Sequence, residues 1–223
     1  MKLMIHTCPE RLWYVEGFLI PSIVEQGIDR DSIDIWNDVN RDGNLYSCVK
    51  SFGYVGKKEG GTWHLQDDVV IARDFYLRAK ENDEGIVCGF CGEKIGPDPE
   101  KVGIVRPKNM WFSFPCIRIP NYLAAEFAEW FYLDASKREF FRERVEKRKS
   151  DDFFWLNFLK EMHPLMTLRN LKPNLVDHVD FLLGGSTINQ IRTRGSRAVY
   201  FNDESLIKEL EQKILMRGVL NEQ

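Results

Sequence analysis

The run Trp63-His64-Leu65-Gln66-Asp67-Asp68-Val69 is largely apolar and ends in two adjacent carboxylates. A strand that delivers paired acids to its tip faces both charge desolvation and like-charge repulsion unless something offsets them. A divalent cation does that, and carboxylate oxygens suit hard Mg²⁺ or Mn²⁺. A second block lies far downstream, Pro173-Asn174-Leu175-Val176-Asp177-His178, followed by Gly184-Gly185-Ser186-Thr187. Neutral imidazole beside carboxylates favours Mn²⁺ over Ca²⁺. A Gly-Gly-Ser-Thr segment can bring backbone N–H groups and hydroxyls close to phosphate oxygens. Together the two blocks point to a cation that grips a diphosphate.

Other residues carry chemistry of less definite kind. Ser150-Asp151-Asp152-Phe153 is a second acid pair, suited either to capping a helix or to holding a general base. Trp111 to Ile117 is aromatic and could stack on sugar faces, although core packing is the commoner use. The segment Lys137 to Lys149 holds more Lys and Arg than Glu, which marks a solvated face or a dock for an anionic group. Arg192, Arg194 and Arg197 could add charge to a lid or sit on a solvated loop. Cys88-Gly89-Phe90-Cys91 is a lone Cys-x-x-Cys, better explained by core thiols near a strand end than by zinc.

These groups need elements to position them. Lys2 to Thr7 reads as a buried strand, and Arg11 to Gln26 as a helix kinked at Pro21 and stopped at Gly27. Ser32 to Trp36 reads as a strand ending in Asn37-Asp38, with a short helix capped by Asn44 running to Phe52. The acid-bearing strand follows a glycine-rich loop and precedes a helix from Ala72 to Lys80. Further strands are expected at Gly85 to Phe90 and Met110 to Phe114, and helices from Asn121 and from Phe153 to Met162. A last strand at Ala198 to Phe201 leads into a C-terminal helix. Alternation of this kind predicts an α/β fold, one domain over residues 1–223 with a central, mostly parallel sheet flanked by helices. Ligands of such sheets sit beyond the carboxyl ends of the strands. His6-Thr7-Cys8-Pro9, Asn37-Asp38 and Asp67-Asp68 all fall there.

Composition bounds the remaining classes. The chain has 223 residues, 43% hydrophobic and 13% aromatic, enough for a packed core, and a net charge of −3 that gives no polybasic signature for nucleic acid. Five cysteines, an odd count, favour reduced thiols and, with no apolar run of membrane-spanning length, a cytoplasmic protein.

The order of these motifs resembles the GT-A class of nucleotide-sugar glycosyltransferases, particularly small single-domain enzymes of bacteria and phages. The resemblance rests on Thr7-Cys8-Pro9-Glu10-Arg11, Asp38, Leu65-Gln66-Asp67-Asp68, Leu175-Val176-Asp177-His178 and Gly184-Gly185-Ser186, and covers nearly the whole chain in element order. It implies a GT-A-like (Rossmann-like) domain that moves a sugar from a nucleoside-diphosphate sugar, with a UDP-sugar favoured. The acceptor would be a glycan, lipid-linked sugar, protein or modified nucleic acid. The family's Asp-x-Asp is replaced here by Gln66-Asp67-Asp68, which leaves the direct ligand open between two acids. Neighbouring side chains on a strand point oppositely, so Asp68 is favoured on the Mn²⁺ or Mg²⁺, with Asp67 nearer the donor sugar or backbone. His178 would complete the metal shell, with Asp177 orienting it or standing in for it. Asp38 would contact base or ribose, Pro9 and Arg11 would form the bed of the base, and Gly184, Gly185 and Ser186 would meet phosphate. Asp152 would be the acceptor's base if transfer inverts the anomeric centre. A nucleotidyltransferase or other metal-dependent phosphoryl-transfer enzyme is the alternative, although Cys8-Pro9-Glu10-Arg11 lacks the glycines such enzymes generally want after the first strand.

Overall fold

The computed structural model describes residues 1–91, 103–105, 114–184, 198 and 201–221. The elements run β1 (Lys2–Thr7), α1 (Leu12–Tyr14), a π-helical stretch (Val15–Leu19), α2 (Ile20–Glu25), β2 (Ile33–Asn37), α3 (Gly43–Val55), β3 (Gly61–Gln66), β4 (Val69–Ile71) and α4 (Phe75–Glu81). They continue as β5 (Ile86–Cys88), β6 (Gly103–Val105), β7 (Cys116–Pro120), α5 (Asn121–Leu133), α6 (Arg142–Glu146), α7 (Asp151–Met162), β8 (Leu168–Asn170), β9 (Val176–His178) and α8 (Glu204–Asn221).

A seven-stranded sheet has the order β2-β1-β3-β7-β5-β8-β6. β2, β1, β3, β5 and β8 point one way, and β7 and β6 run against them, so the sheet is mixed but mostly parallel. Side chains alternate across it. Met4, Ile86, Ile117 and Ile119 face a cluster built with α3, α5 and α7. Leu3, Ile5, Trp63, Leu65 and Val87 face the opposite cluster, with the α1–α2 segment, α4 and α8. Both faces are therefore covered, and the strands present apolar residues to each side, as burial on two sides requires. The α/β architecture expected from the alternation of elements is the one observed.

Several boundaries differ for physical reasons. The expected Arg11 to Gln26 helix is divided by the π-helical stretch, and Pro21 sits in the first turn of α2. A proline ring in a continuous α-helix would strike the carbonyl four residues back, here Gly17, and the widened turn removes that clash. Asn44 does not cap α3. Asp38 does, accepting from the N–H groups of Asp42 (2.8 Å) and Gly43 (3.0 Å). The expected strand at Met110 to Phe114 lies almost wholly outside the described residues, and the strand that enters the sheet beyond it is β7. Of the expected Ala198 to Phe201 strand, residues 199–200 lie outside the described set. β8 and β9 are three residues each and too short to leave a period-two pattern.

β4 and β9 form a separate antiparallel pair that matters most for the site. Val69 lies opposite His178, Val70 opposite Asp177 and Ile71 opposite Val176. The ladder is closed at both ends by Val179 N–H donating to the Asp68 carbonyl (2.8 Å) and Ala72 N–H to that of Leu175 (2.8 Å). The guanidinium of Arg78, from α4, donates to the carbonyls of Pro173 and Asn174 and anchors the approach to β9. Among the described residues no helix is long and apolar enough to cross a membrane.

Candidate functional site

β3 ends at Gln66, and the chain turns through Asp67 and Asp68 before entering β4. The acids are thus in the turn between two sheets, not at an exposed strand tip, and their side chains are only 15% and 18% exposed. Because β4 pairs with β9, Asp68 is drawn to His178. Asp68 Oδ1 lies 3.3 Å from His178 Nε2. Both atoms are buried, and neither has hydrogen-bond geometry with any partner among the described residues. Two ligands placed cis on a cation at 2.0–2.1 Å bonds stand roughly 3 Å apart. Asp177 turns away from this pair and accepts from the N–H groups of His178 (2.9 Å) and Ala198 (2.6 Å).

Asp67 faces the end of β1, where its Oδ2 accepts from Cys8 N–H at 3.3 Å. Beneath both acids sits Arg11, its side chain 3% exposed and its Nη1 3.9 Å from Asp67 Oδ1 and 3.9 Å from Asp68 Oδ2. Arg11 was expected to help form a bed for a base, yet it is buried as a counter-charge. The helix start after Cys8 aims its side chain back toward the sheet. Pro9 is exposed on the same loop.

Electrostatics separate the two acids. Burial, with the neighbouring Asp68 adding to it, pushes the Asp67 carboxyl up to about 7. Burial acts on Asp68 too, but His178, Arg11 and a backbone N–H outweigh it together and hold that carboxyl below its ordinary value. For His178, burial alone would favour the neutral ring, and the carboxylates of Asp68, Asp180 and Asp177 more than reverse this. Asp68 is therefore the ionised member of the pair and the one in contact with the imidazole.

A cleft of about 550 Å³ opens over the carboxyl ends of β1, β2 and β3. Thr7, Cys8, Asp38, Gln66, Asp67 and Asp68 line it. Asp38 is thus on the cleft wall, although both of its oxygens are engaged by the turn into α3. Gly184 ends the short helix after β9 with φ +88°, a left-handed conformation that glycine adopts freely. Gly185 and Ser186 lie outside the described residues, as do Arg192, Arg194, Arg197 and Trp111 to Ser113. Asp152 does not line the cleft. α7 begins at Asp151, and its first turn packs toward α3, so Asp152 Oδ1 takes the N–H of Phe153 (2.7 Å) behind the wall. Cys88 closes β5, and it and Cys91 are buried thiols. Among the described residues no three Asp, Glu, His or Cys side chains converge to hold a metal by protein alone.

The other wall was legible in the sequence only as the basic segment Lys137 to Lys149, not as part of the cleft. Asn44 and Ser47 from α3, with Lys147, Arg148 and Lys149, close the cleft opposite the acids. Arg41 and Arg148 are both left-handed, at φ +54° and φ +52°. His6 lines the cleft with His64 behind it, His6 Nε2 lying 2.9 Å from His64 Nδ1, and burial keeps the His6 ring neutral by lowering its pKa to about 4. A neutral His6 ring adds no charge to the cleft.

No family model matches the chain, and no relative is found among curated proteins. Among solved structures the chain is similar to A197 from STIV, with 14% identity over 80% of this chain and 85% of the other and a TM-score of 0.37. It is also similar to a putative glucose-1-phosphate thymidylyltransferase from Bacillus anthracis in complex with a sucrose, with 12% identity over 77% of this chain and 86% of the other and a TM-score of 0.40. At such low TM-scores these likenesses are slight, and the site stands on the geometry of this chain alone.

Proposed function

We propose that this protein is a metal-dependent transferase acting on a nucleoside-diphosphate sugar, with a UDP-sugar as the favoured donor. One observation carries the reading: Asp68 Oδ1 and His178 Nε2, from opposite halves of the chain, face each other at 3.3 Å, buried and without hydrogen-bond geometry. A carboxylate and an imidazole are a donor set suited to Mn²⁺, and Mg²⁺ is served by the carboxylate. With two protein ligands, further coordination positions would go to diphosphate oxygens and water. The cation would supply Lewis-acid stabilisation of charge on the departing diphosphate, typically several kcal/mol.

The protein's own groups have separate tasks. Asp68, held ionised by Arg11 and, until a cation displaces its proton, by His178, offers a charged oxygen. Asp67, held by Cys8 N–H, is the acid placed to hydrogen-bond a donor hydroxyl. The cleft walls at Thr7, Cys8 and Asp38 leave room for the nucleoside across the sheet edge. Gly184 and the residues after it would approach the phosphates, and the acceptor's base is unassigned.

The test is a donor panel. The protein with Mn²⁺ is incubated with UDP-, GDP- and TDP-sugars, and separately with nucleoside triphosphates plus sugar 1-phosphates, with mass detection of products. Release of a nucleoside diphosphate from one sugar nucleotide, abolished by Asp68→Asn, is the expected result. Pyrophosphate release from a triphosphate, with the sugar nucleotides intact, would instead establish the nucleotidyltransferase reading.

A further inference from the structure

The basic wall is the part of the cleft that the transferase reading leaves without a task. Three consecutive residues, Lys147, Arg148 and Lys149, line the same cleft as the acid pair. Consecutive residues share a wall only where the backbone departs from helix and strand, and here it does: Arg148 has φ +52° and Ser150 has φ +71°. Left-handed backbone is disfavoured for residues with a Cβ and persists where surrounding contacts enforce it. Those contacts are present. The Arg148 carbonyl accepts from Leu45 N–H (3.2 Å), and the Arg148 guanidinium donates to the carbonyl of Arg41 (3.2 Å), which is itself left-handed. Gly43 completes the brace, since a Cβ there would lie 2.9 Å from the Arg148 Cβ. The cationic wall is therefore fixed in place by the turn into α3.

The acids near Lys147 and Arg148 do not neutralise those two residues. Asp38 is engaged by backbone N–H groups of that same turn. Glu143 reaches Lys147 at 2.6 Å, but in a pair 60% and 74% exposed, which an anionic ligand exchanges at little cost. Glu10 pairs with Arg41 in the same exposed setting. The turn into α3 follows β2, the acid pair follows β3, and β1 lies between them. Two strand spacings put the charged ends roughly 10 Å apart. One phosphoryl group does not reach both.

We infer that Lys147, Arg148 and Lys149 form an anion subsite, which binds a phosphoryl group on the ligand sharing the cleft, away from the diphosphate end at Asp68. This rests on the transferase reading only for what occupies the other end. Because the donor's diphosphate belongs at the Asp68 end, the phosphoryl group is that of a phosphorylated acceptor.

Metal-free titration isolates the subsite, because without a cation the acid end repels anions. Inorganic pyrophosphate is titrated calorimetrically in EDTA into the unmodified protein, into Lys147→Gln/Arg148→Gln/Lys149→Gln, and into Asp68→Asn. The unmodified protein should bind, more weakly as salt rises. The triple variant should bind at least about tenfold more weakly, as loss of charge-assisted hydrogen bonds requires, with its Mn²⁺ affinity unchanged by electron paramagnetic resonance. Asp68→Asn should retain metal-free pyrophosphate binding and lose Mn²⁺. The double variant Lys147→Gln/Lys149→Gln leaves the left-handed Arg148 intact and should show the same direction if the triple variant unfolds. Absence of metal-free binding, or equal binding by the variants, overturns the subsite, whereas loss of Mn²⁺ binding in the unmodified protein overturns only the transferase reading. Repeating the titration on protein saturated with Mn²⁺ and UDP, whose two phosphates belong at the Asp68 end, tests the separation: undiminished pyrophosphate binding supports a subsite apart from the diphosphate, and competition overturns it.

Discussion

The Asn44 side-chain amide donates to Asp151 Oδ1 across 2.7 Å and ties the first turn of α3 to the first residue of α7. Both helices thereby fix one wall of the cleft from behind. The buried carboxyl of Asp151 nonetheless favours its proton. Burial, and then the adjacent Asp152, push the Asp151 carboxyl up to about 8, against opposing pulls from the Asp152 N–H and Asn44. The buried Cys48 thiol is pushed well up beside the same two acids.

This makes stability fall with rising pH over a stated window. A carboxyl whose folded pKa lies above its unfolded value favours the folded state while protonated. The stabilisation is complete below the ordinary 3.8 and is lost as pH rises toward about 8. Asp151→Asn keeps an acceptor for Asn44 and the Asp152 N–H but removes the titration. Urea melts between pH 4 and 8 should show a shallower decline for the variant than for the unmodified protein. Parallel pH profiles would show that Asp151 titrates normally.

Cation binding should depend on both halves of the chain. Asp68→Asn and His178→Ala should each weaken Mn²⁺ by about 100-fold or more, because even outer-shell partners of a ligand cost roughly 10–100-fold when mutated. Electron paramagnetic resonance of free Mn²⁺ measures this directly. Asp177→Asn is the control. Its carboxylate serves the N–H groups of His178 and Ala198, so a smaller loss is expected.

How much of this was legible beforehand depends on the range of each interaction. The sheet edge was readable, because Leu3, Met4 and Ile5 or Trp63 and Leu65 announce strands locally, and the chemistry collects at their carboxyl ends. The Asp68–His178 meeting was open only to the resemblance, since the β4–β9 ladder that creates it is three residues long and leaves no periodic trace. Arg11 illustrates the opposite failure: an Arg after a first strand reads as a ligand-facing group, and only the packed structure places it under the acids. The basic wall was visible as charge but not as wall, because the left-handed turn at Arg148 depends on Leu45 and Gly43, a hundred residues away in the chain.

The seam between α3 and α5 should be intolerant of a single methyl group. A Cβ at Gly56 would fall 2.6 Å from the Ala125 Cβ, 2.7 Å from its Cα and 2.8 Å from its N. Two of those atoms are backbone, so relief requires moving α5 or the end of α3. Overpacking of this kind costs about 1–3 kcal/mol. Gly56→Ala should lower the urea midpoint accordingly. Because α3 carries Asn44 and Ser47 to the cleft, pyrophosphate binding in the folded variant should weaken as well.

Arg11 supplies the last and most diagnostic prediction. Its guanidinium stands 3.9 Å from each acid with 3% of its side chain exposed, and Arg11→Met would leave two buried carboxylates without that compensation. Removing one partner of a buried ion pair costs about 3–5 kcal/mol. A divalent cation at Asp68 would restore positive charge to the same place, so Mn²⁺ should raise the melting temperature of Arg11→Met by more than that of the unmodified protein. The excess should vanish in Arg11→Met/Asp68→Asn. A merely structural arginine, buried for reasons unconnected with the acids, would leave the two proteins responding equally to the metal.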